Sequence, residues 1–258
     1  MLLTTNQLTK TFGGLKAVNA IDFQINQGEV VAIIGPNGSG KTTFFNVISG
    51  ILPATSGEIH FQDTNVTKLK AFEITARGMA RTFQNIRLFP NLTARDNIVI
   101  GRYSRNHSGL LDGLFKTARL KAEERENNER AAELLEFVGM PSHRETMARN
   151  LPYGAQRRLE IARALASEPA LLLLDEPAAG MNPREVDELL QLIIKLKNRG
   201  VTILLIEHQM RLVMGIAERL VVFDHGEKIA EGLPREVRDN PKVIEAYIGT
   251  EVQLRAKH

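Results

Sequence analysis

The chain has 258 residues, with a hydrophobic fraction of 43% and a charged fraction of 24%, which is ordinary globular usage and excludes a disordered or fibrous protein. It contains no cysteine, which excludes disulfide frameworks, cysteine nucleophiles and thiolate metal sites. Its formal net charge of +3 is low for a nucleic-acid-binding protein of this size, and its basic residues are interleaved with acidic ones. We therefore expect no nucleic-acid partner.

The apolar runs of the chain are short. The longest, Val30–Ile34, Ala170–Leu174 and Val201–Ile206, fall far below the ~20 residues that cross a bilayer. Met1–Thr5 lacks the charged-then-apolar layout of a signal peptide. If the protein serves a membrane, we expect it to dock there from the cytoplasmic side.

Two types of strand are predicted in the first part of the chain. Residues 1–29 and 55–68 alternate between polar and apolar side chains, which is typical of a small antiparallel sheet. Val30–Ile34 is instead continuously apolar, as a strand buried on both faces is, and it leads through a glycine-rich turn into a predicted helix at Lys41–Ser49.

The middle of the chain, residues 85–165, is predicted to be mainly helical. One helix there ends at Gly139–Pro141, and its buried face is formed by Ala131, Leu134, Leu135 and Val138. Two further buried strands follow at Leu171–Leu174 and Thr202–Ile206, and then a terminal hairpin made by Leu220–Phe223 and Lys228–Ala230.

This alternation of buried strands with helices predicts an α/β fold built on a largely parallel sheet. We expect one domain over residues 1–258 with four parts. These are an antiparallel β subdomain (1–29 plus 55–68), a parallel-sheet core (30–54 plus 166–235), a helical subdomain (85–165) and a C-terminal extension (236–258).

The glycine-rich turn matches the phosphate-binding P-loop pattern and lies between a strand and a helix, as that pattern requires. Its glycines let backbone N–H groups surround phosphate oxygens, and the helix start adds a positive dipole end. Lys41 is expected to neutralise the β- and γ-phosphates, and the Thr42 hydroxyl to coordinate Mg²⁺. The alternative is a chance glycine-rich turn. We predict that a nucleotide, which the later resemblance specifies as ATP, is bound by Gly35, Pro36, Asn37, Gly38, Ser39, Gly40, Lys41, Thr42 and Thr43. The P-loop alone leaves a kinase and a GTPase open.

Two acidic residues follow the predicted strand Leu171–Leu174. An acid at the end of a buried strand beside a P-loop can hold Mg²⁺ through water, which is the role we expect for Asp175. The next residue, Glu176, points to the other side of the strand and can orient an attacking water or take its proton. The alternative is that the pair caps the next helix.

Glu207 and His208 follow the next predicted strand. An imidazole at this position can reach the γ-phosphate and hold the attacking water in line. A histidine after a strand is otherwise a common surface or packing residue. Its place in the order after Lys41 and Glu176 favours the functional interpretation.

With these motifs in place, the chain resembles the ATP-binding-cassette (ABC) family over essentially its whole length. The resemblance identifies Thr82–Gln84 as the Q-loop, Leu151–Gln156 as the signature and Ala179–Asn182 as the D-loop. It implies that Gln84 contacts Mg²⁺ or water and senses a transmembrane partner. It also implies that Phe12 stacks on adenine, although packing in its own small sheet explains Phe12 nearly as well. The implied fold is that of a P-loop NTPase, with a RecA/F1-like parallel core sheet, a small antiparallel β subdomain and an inserted helical subdomain.

The resemblance also implies that each ATP site needs two chains. In this family the start of the signature helix grips the γ-phosphate on the P-loop of the opposite subunit, through backbone N–H groups that lack partners within the helix. The residues implied to contact the partner's ATP are Tyr153, Gly154, Ala155 and Gln156.

The chain departs from the family pattern at three positions. Pro152 replaces a serine and has neither a hydroxyl nor an N–H, which raises the alternative of a weaker half-site. Ala155 replaces a common glycine or glutamine, and Asn182 replaces the commoner aspartate of the D-loop.

A closer resemblance is to the ATPases of branched-chain amino acid importers, specifically the longer of two sister ATPases. It is carried by Arg81–Phe89, Gly101–Leu120, Gly180–Pro183, Ile206–Met210 and the tail Asn240–Gly249. It implies a complex of two ATPases, two permeases and an external amino-acid-binding protein, with this chain on the cytoplasmic face of the cell (inner) membrane. Pairing with itself and pairing with a sister ATPase both stay open.

The segment Gln84–Leu92 is a predicted docking surface for a short permease helix. Its expected apolar pocket consists of Leu88, Phe89 and Leu92 around Pro90, rimmed by Arg87 and Arg95. Without the family context, ordinary core packing explains the same residues about as well.

Other functions compete with transport. A cassette ATPase acting on DNA or ribosomes usually has two cassettes, coiled-coil insertions or basic patches, and none is visible here. A subunit that binds ATP but scarcely hydrolyses it is disfavoured by Glu176 and His208 and kept open by Pro152. A P-loop kinase would leave the signature without a purpose, and import of another small solute stays open.

Overall fold

The computed structural model describes residues 1–105 and 117–247. Most of the predicted insertion Gly101–Leu120, and the end of the predicted C-terminal extension, lie outside the described residues. Among the helices in the described ranges, none combines the length and apolarity that a bilayer span needs.

The described strands fall into two sheets. In chain order they are β1 (Leu3–Phe12), β2 (Leu15–Ile25), β3 (Val30–Ile34), β4 (Ser56–Phe61), β5 (Thr64–Asn65), β6 (Met79–Arg81), β7 (Leu171–Asp175), β8 (Thr202–Ile206), β9 (Arg219–Asp224) and β10 (Glu227–Gly232). The larger sheet has the order β10-β9-β3-β8-β7-β6, and the smaller one the order β2-β1-β4-β5.

The larger sheet is parallel except at one edge. β3 pairs in parallel with β8 and β9, and β7 pairs in parallel with β8 and β6, while β10 runs antiparallel to β9. The predicted buried strands and the terminal hairpin are therefore confirmed. β6 was not predicted, and its three residues add a sixth strand beside β7.

Each central strand is buried on both faces, which explains its continuous apolar run. Val31 and Ile33 point into a core shared with the smaller sheet, whereas Ala32 and Ile34 point into a core shared with the helices. The carboxyl ends of β3, β7 and β8 meet at one edge of the sheet, so the residues that follow these strands converge there.

The smaller sheet is antiparallel throughout, as its alternating pattern predicts. Its buried residues include Leu3, Leu8, Ile21, Phe23 and Ile59, which pack toward the larger sheet. The hairpin between β1 and β2 carries Phe12 near its turn. The smaller sheet therefore holds this hairpin beside the loop that follows β3.

The helices cover both faces of the larger sheet. They are α1 (Lys41–Ile48), α2 (Ala71–Ala76), α3 (Ala94–Gly101), α4 (Ala118–Phe137), α5 (Tyr153–Leu165), α6 (Pro183–Asn198), α7 (Met210–Ile216) and α8 (Pro234–Arg238), followed by a helical segment at 241–247. Short 3₁₀ turns lie at Tyr103–Arg105, Pro141–His143 and Ala148–Asn150.

The predicted helix after the glycine-rich turn is confirmed as α1, and the predicted helix of the middle region as α4. The buried face of α4 includes Ala131, Leu134 and Leu135, as its periodicity predicts. α4 ends before Gly139, whose φ of 74° belongs to the left-handed region that glycine enters most readily. α3, α4 and α5 pack against one another and carry the signature segment.

Candidate functional site

The loop between β3 and α1 has a backbone path that only glycine can follow at two points. Gly35 and Gly40 have φ values of 146° and 101°. A β-carbon on Gly35 would collide with the Phe223 carbonyl oxygen, and one on Gly40 with the carbonyl oxygen of Ala17 in the β1–β2 hairpin. The loop is therefore wedged between β9 and the smaller sheet, with its backbone fixed before α1 begins.

Lys41 is folded over this loop. Its ammonium donates hydrogen bonds to the carbonyl oxygens of Gly35 and Pro36, both at 2.8 Å, and to Ser39 Oγ at 3.3 Å. Only 5% of the residue is exposed, and this burial lowers the pKa of Lys41 to about 8, although Glu176 and Asp175 oppose the change. A phosphate oxygen would compete with these neutral acceptors and favour the charged ammonium.

The other predicted ATP-binding residues line the same loop and the first turn of α1. Asn37, Gly38 and Thr42 are exposed and Thr43 is partly exposed, whereas Pro36 and Ser39 are buried within the loop. Phe12 is 47% exposed, so its ring does not belong to the core of the smaller sheet, and the Lys10 ammonium lies 5.1 Å from its centroid.

Asp175 ends β7 and forms an ion pair that the sequence did not predict. Arg81, at the end of the neighbouring strand β6, donates to Asp175 Oδ2 at 2.7 Å, and both side chains are almost fully buried. Burial raises the pKa of Asp175, and the Arg81 guanidinium opposes this change. Asp175 Oδ1 is buried and has no hydrogen-bond partner among the described residues.

Glu176 brings together three of the four predicted catalytic residues. Gln84 Nε2 donates to Glu176 Oε2 at 2.8 Å, and His208 Nε2 lies 3.1 Å from Glu176 Oε1. Glu176 has a φ of 47°, and its N–H donates to the Ile206 carbonyl oxygen at the end of β8. Turns after three strands thus place a carboxylate, an amide and an imidazole in one cluster, while Lys41, the fourth, is tied to the same site by its attraction to Glu176.

The burial of Glu207, near Glu176, is a second feature that the sequence did not predict. Glu207 is 2% exposed, and the backbone N–H groups of Ala178 and His208 donate to its carboxyl group. Its Oε1 atom has no hydrogen-bond partner in the part of the chain that the structure describes. Burial, assisted by Glu176, raises the pKa of Glu207 to about 7 against the lowering effect of its backbone hydrogen bonds and of Arg157.

The signature residues start helix α5, with Pro152 at the N-cap and no side-chain cap. Gly154 is packed so tightly against the Glu185 carboxylate that a β-carbon would clash with it. Gln156 donates its side-chain amide to the Leu151 carbonyl oxygen at 2.9 Å, and Ala155 is buried. Tyr153 turns toward the D-loop of its own chain, where its hydroxyl lies 2.9 Å from the Ala179 carbonyl oxygen.

Asn182, the departure in the D-loop, has a clear structural role. It is the N-cap of α6: its side chain accepts from the Glu185 N–H at 3.0 Å, and Glu185 accepts from the Asn182 N–H at 3.0 Å. This reciprocal capping box fixes the exit of the D-loop.

The segment at 241–247 reaches back to the P-loop. Val243 is buried in the helical core, and the Tyr247 hydroxyl is hydrogen-bonded to the backbone of Gly35. Burial raises the pKa of Tyr247. The contact joins residues more than two hundred positions apart, and no local pattern in the sequence indicated it.

An apolar cavity of about 340 Å³ opens beside the Q-loop. It lies between α2, β6, α3 and α5, and its exposed apolar rim includes Ile51, Phe89 and Ile100. The predicted pocket was only partly right. Phe89 lines the cavity, but Leu88 packs against the helical core instead, and Leu92 does not line it.

The arrangement as a whole can bind a polyphosphate and activate a water. The loop that carries Lys41 lies next to the Glu176 carboxylate, which is hydrogen-bonded by an amide and an imidazole. In-line hydrolysis of a phosphoanhydride needs these groups: a cation for the phosphates and a carboxylate for the water.

Comparisons with known proteins agree with this chemistry. The sequence pattern of the ABC transporter family matches residues 18–179, and that of the branched-chain amino acid ATP-binding cassette transporters matches residues 227–253. The chain is 45% identical over 249 residues to the high-affinity branched-chain amino acid transport ATP-binding proteins LivG of Escherichia coli K12 and BraF of Pseudomonas aeruginosa, covering 96% of this chain and 98% of each relative.

Solved structures give the same result for the fold. An ATP-binding cassette of an ABC transporter in its ADP conformation superposes with a TM-score of 0.84 at 35% identity, covering 96% of this chain and 98% of that one. A dimeric cassette in a post-hydrolysis state, bound to ADP and phosphate, superposes with a TM-score of 0.77 at 26% identity, covering 91% of this chain and 99% of that one. The predicted P-loop NTPase fold is therefore confirmed.

Proposed function

The chain belongs to the ABC transporter family, and from this membership we propose that it is the ATP-hydrolysing subunit of an importer of branched-chain amino acids. The single observation that carries the hydrolytic part is the convergence of Gln84 and His208 on the two oxygens of Glu176, beside the loop that ends in Lys41. The cargo is supported by the matched segment at residues 227–253 and by the relatives' activity.

In this proposal Lys41 and the backbone N–H groups of its loop hold the β- and γ-phosphates. Glu176 orients the attacking water and accepts its proton, and His208 hydrogen-bonds both Glu176 and the γ-phosphate. Gln84 fixes the second oxygen of the carboxylate. Most catalysis of phosphoryl transfer comes from positioning the water and from balancing the charge of the phosphates, and these contacts supply both.

The residues present also fit a Mg²⁺ ion. Asp175 Oδ1 is a buried carboxylate oxygen without a partner among the described residues, and Thr42 is exposed in the first turn of α1. Thr42 would bind the ion directly and Asp175 through water, with Gln84 as a further ligand. When bound, Mg²⁺ neutralises charge on the phosphates.

A complete site requires a second cassette, either another copy of this chain or a sister ATPase. Among the described residues, Pro152 gives the start of α5 no side-chain cap, and the first backbone N–H groups of a helix have no acceptor within the helix, which is what an anion site needs. Tyr153 and Gly154 lie at this start, and a partner's γ-phosphate is the anion that we assign to it. Pro152 contributes no hydrogen-bond donor, so binding of the partner's γ-phosphate depends on the backbone N–H groups of the residues after it.

The apolar cavity beside the Q-loop is the surface that we assign to the permease. An amphipathic helix fits a groove whose rim exposes Ile51, Phe89 and Ile100. Because the Q-loop forms one wall, a helix bound there would press on the segment that carries Gln84. Two permeases would hold the ATPase pair on the cytoplasmic face of the membrane and receive the amino acid from an external binding protein.

Uptake of labelled leucine, isoleucine and valine tests the cargo. In a strain that lacks this chain, we expect uptake of all three to fall to background and to return with the wild-type gene but not with Lys41→Ala. Normal uptake in the deletion strain would contradict the assigned cargo, whereas the hydrolytic proposal would stand if the purified protein still hydrolyses ATP.

A further inference from the structure

The side chain of Tyr153 is directed at its own D-loop. Its hydroxyl donates to the Ala179 carbonyl oxygen at 2.9 Å. Its ring lies against Gly180, where an added β-carbon would come within 3.3 Å of Tyr153 Cε1. Gly180 also has a φ of 76°, so the D-loop takes a backbone path that fits closely over this ring.

Arg157 stands one helical turn after Tyr153 and is 3% exposed. It donates to the Tyr153 hydroxyl from Nε at 3.2 Å and from Nη2 at 2.9 Å. It also donates to the carbonyl oxygens of Phe83 and Gln84 in the Q-loop, from Nη1 at 2.8 Å and from Nη2 respectively. Its fifth contact is with Glu160 Oε2, 3.3 Å from Nη1.

These hydrogen bonds use every polar position of the two side chains. A guanidinium has five N–H donors, and Arg157 makes five hydrogen bonds. A tyrosine hydroxyl has one donor and two acceptor positions, and Tyr153 gives one hydrogen bond and receives two. A pair saturated in this way has few alternative arrangements of equal energy.

The pair therefore connects three segments that the proposed mechanism uses separately. The Q-loop carries Gln84, whose side chain contacts Glu176 while its carbonyl group is held by Arg157. The start of α5 and the D-loop are both held by Tyr153. A displacement of the Q-loop must either carry the other two segments with it or break hydrogen bonds of the buried Arg157 guanidinium.

We propose that Tyr153 and Arg157 form a clasp that couples the Q-loop to the signature and the D-loop, and so positions the surfaces that meet a second cassette. The inference rests on the proposed function, because it concerns how a permease bound at the apolar cavity beside the Q-loop controls closure of the ATPase pair. Tyr153 and Arg157 are positioning residues. Their side chains bond the D-loop and the Q-loop of their own chain, whereas the partner's γ-phosphate is assigned to backbone N–H groups at the start of α5.

Tyr153→Phe is the sharpest test, because it keeps the ring on Gly180 and removes only the hydroxyl. We expect ATP turnover to fall about fivefold or more, while the affinity of the monomer for a fluorescent ATP analogue stays within about twofold, because the P-loop is untouched. In a Glu176→Gln background, the ATP concentration that gives half-maximal dimer should rise about fivefold or more.

Two comparisons separate positioning from a general structural effect. Tyr103→Phe makes the same chemical change on a tyrosine that is 81% exposed, and it should leave turnover, dimerisation and thermal stability unchanged. Arg157→Lys removes the planar fork but keeps a positive charge. If the clasp is one unit, the double variant Tyr153→Phe with Arg157→Lys should be no worse than Arg157→Lys alone.

Wild-type turnover and dimerisation in Tyr153→Phe would overturn the clasp. So would a parallel loss of nucleotide affinity and thermal stability, because that result would mean that the hydroxyl supports the fold. Dimerisation is to be measured on the purified chain and after co-expression with the second ATPase of its transporter. If the Glu176→Gln parent forms no ATP-dependent dimer in either preparation, the proposed function fails, and the role assigned to the clasp fails with it.

Discussion

Substitution of Glu207 by glutamine offers a quantitative test of the buried environment beside the proposed catalytic residue Glu176. Glutamine keeps the size of the side chain and an oxygen that accepts from the Ala178 and His208 N–H groups, but it cannot titrate. Burial raises the pKa of Glu207 from 4.5 to about 7, so between these pH values the native state keeps a proton that the unfolded chain has released. Its contribution to stability is complete at low pH and is lost as the pH rises through about 7.

The magnitude follows from the two pKa values. At about 1.4 kcal/mol per pKa unit, the gap corresponds to about 3 kcal/mol in total, of which about 2 kcal/mol falls between pH 5.5 and 8. For a chain of this size that is about 4–8 °C in Tm. We therefore expect the Tm of Glu207→Gln, relative to the wild type, to rise by about this amount when the pH is raised from 5.5 to 8.

Thermal unfolding followed by circular dichroism provides the measurement. Comparing the two proteins at each pH cancels the other acids with raised pKa values, such as Asp175 and Glu160, because both proteins contain them. Glu124→Gln, on the exposed face of α4, is the matched control and should show no such trend. An equal Tm difference at pH 5.5 and pH 8 would refute a buried, protonated Glu207.

Three further predictions follow from the site and the groove. Lys41→Ala should weaken nucleotide binding about a hundredfold or more in calorimetry, because it removes two charge-assisted contacts to phosphate; retained affinity would remove the P-loop assignment. In the wild type, ADP affinity should fall above about pH 8 as the buried ammonium loses its proton, and a flat profile from pH 7 to 9.5 would contradict that burial. Phe89→Asp should abolish co-purification with the proposed permeases while leaving turnover of the isolated chain unchanged, and intact co-purification would place docking elsewhere.

The sequence predicted those parts of the fold in which a local pattern reports a local environment. The continuous apolar runs of β3, β7 and β8 reflect burial on both faces of the sheet. Gly35 and Gly40 of the P-loop lie where a β-carbon would collide with a neighbouring backbone carbonyl oxygen. β6 escaped prediction because three residues are too few to show a period, and its position is fixed only by pairing with β7 across the sheet.

The side-chain partners within the site were harder to predict, since they depend on which strand ends are neighbours. Arg81 and Asp175 are 94 positions apart and meet because β6 lies beside β7. The burial of Glu207 and the contact of Tyr247 with Gly35 likewise depend on packing between distant segments. The sequence named Glu176, Gln84 and His208 as candidates, but their hydrogen bonds became visible only in the folded chain.

The central claim is that two cassettes share ATP, and that they separate after Glu176 activates the water that hydrolyses it to ADP and phosphate. Light scattering of the Glu176→Gln variant with ATP and Mg²⁺, for the chain alone and with the proposed sister ATPase, tests this claim most directly. We predict a stable dimer that forms with ATP, dissociates when ADP replaces it, and shows turnover close to background. A particle that stays monomeric at saturating ATP in both preparations, or a variant that hydrolyses ATP at the wild-type rate, would contradict it.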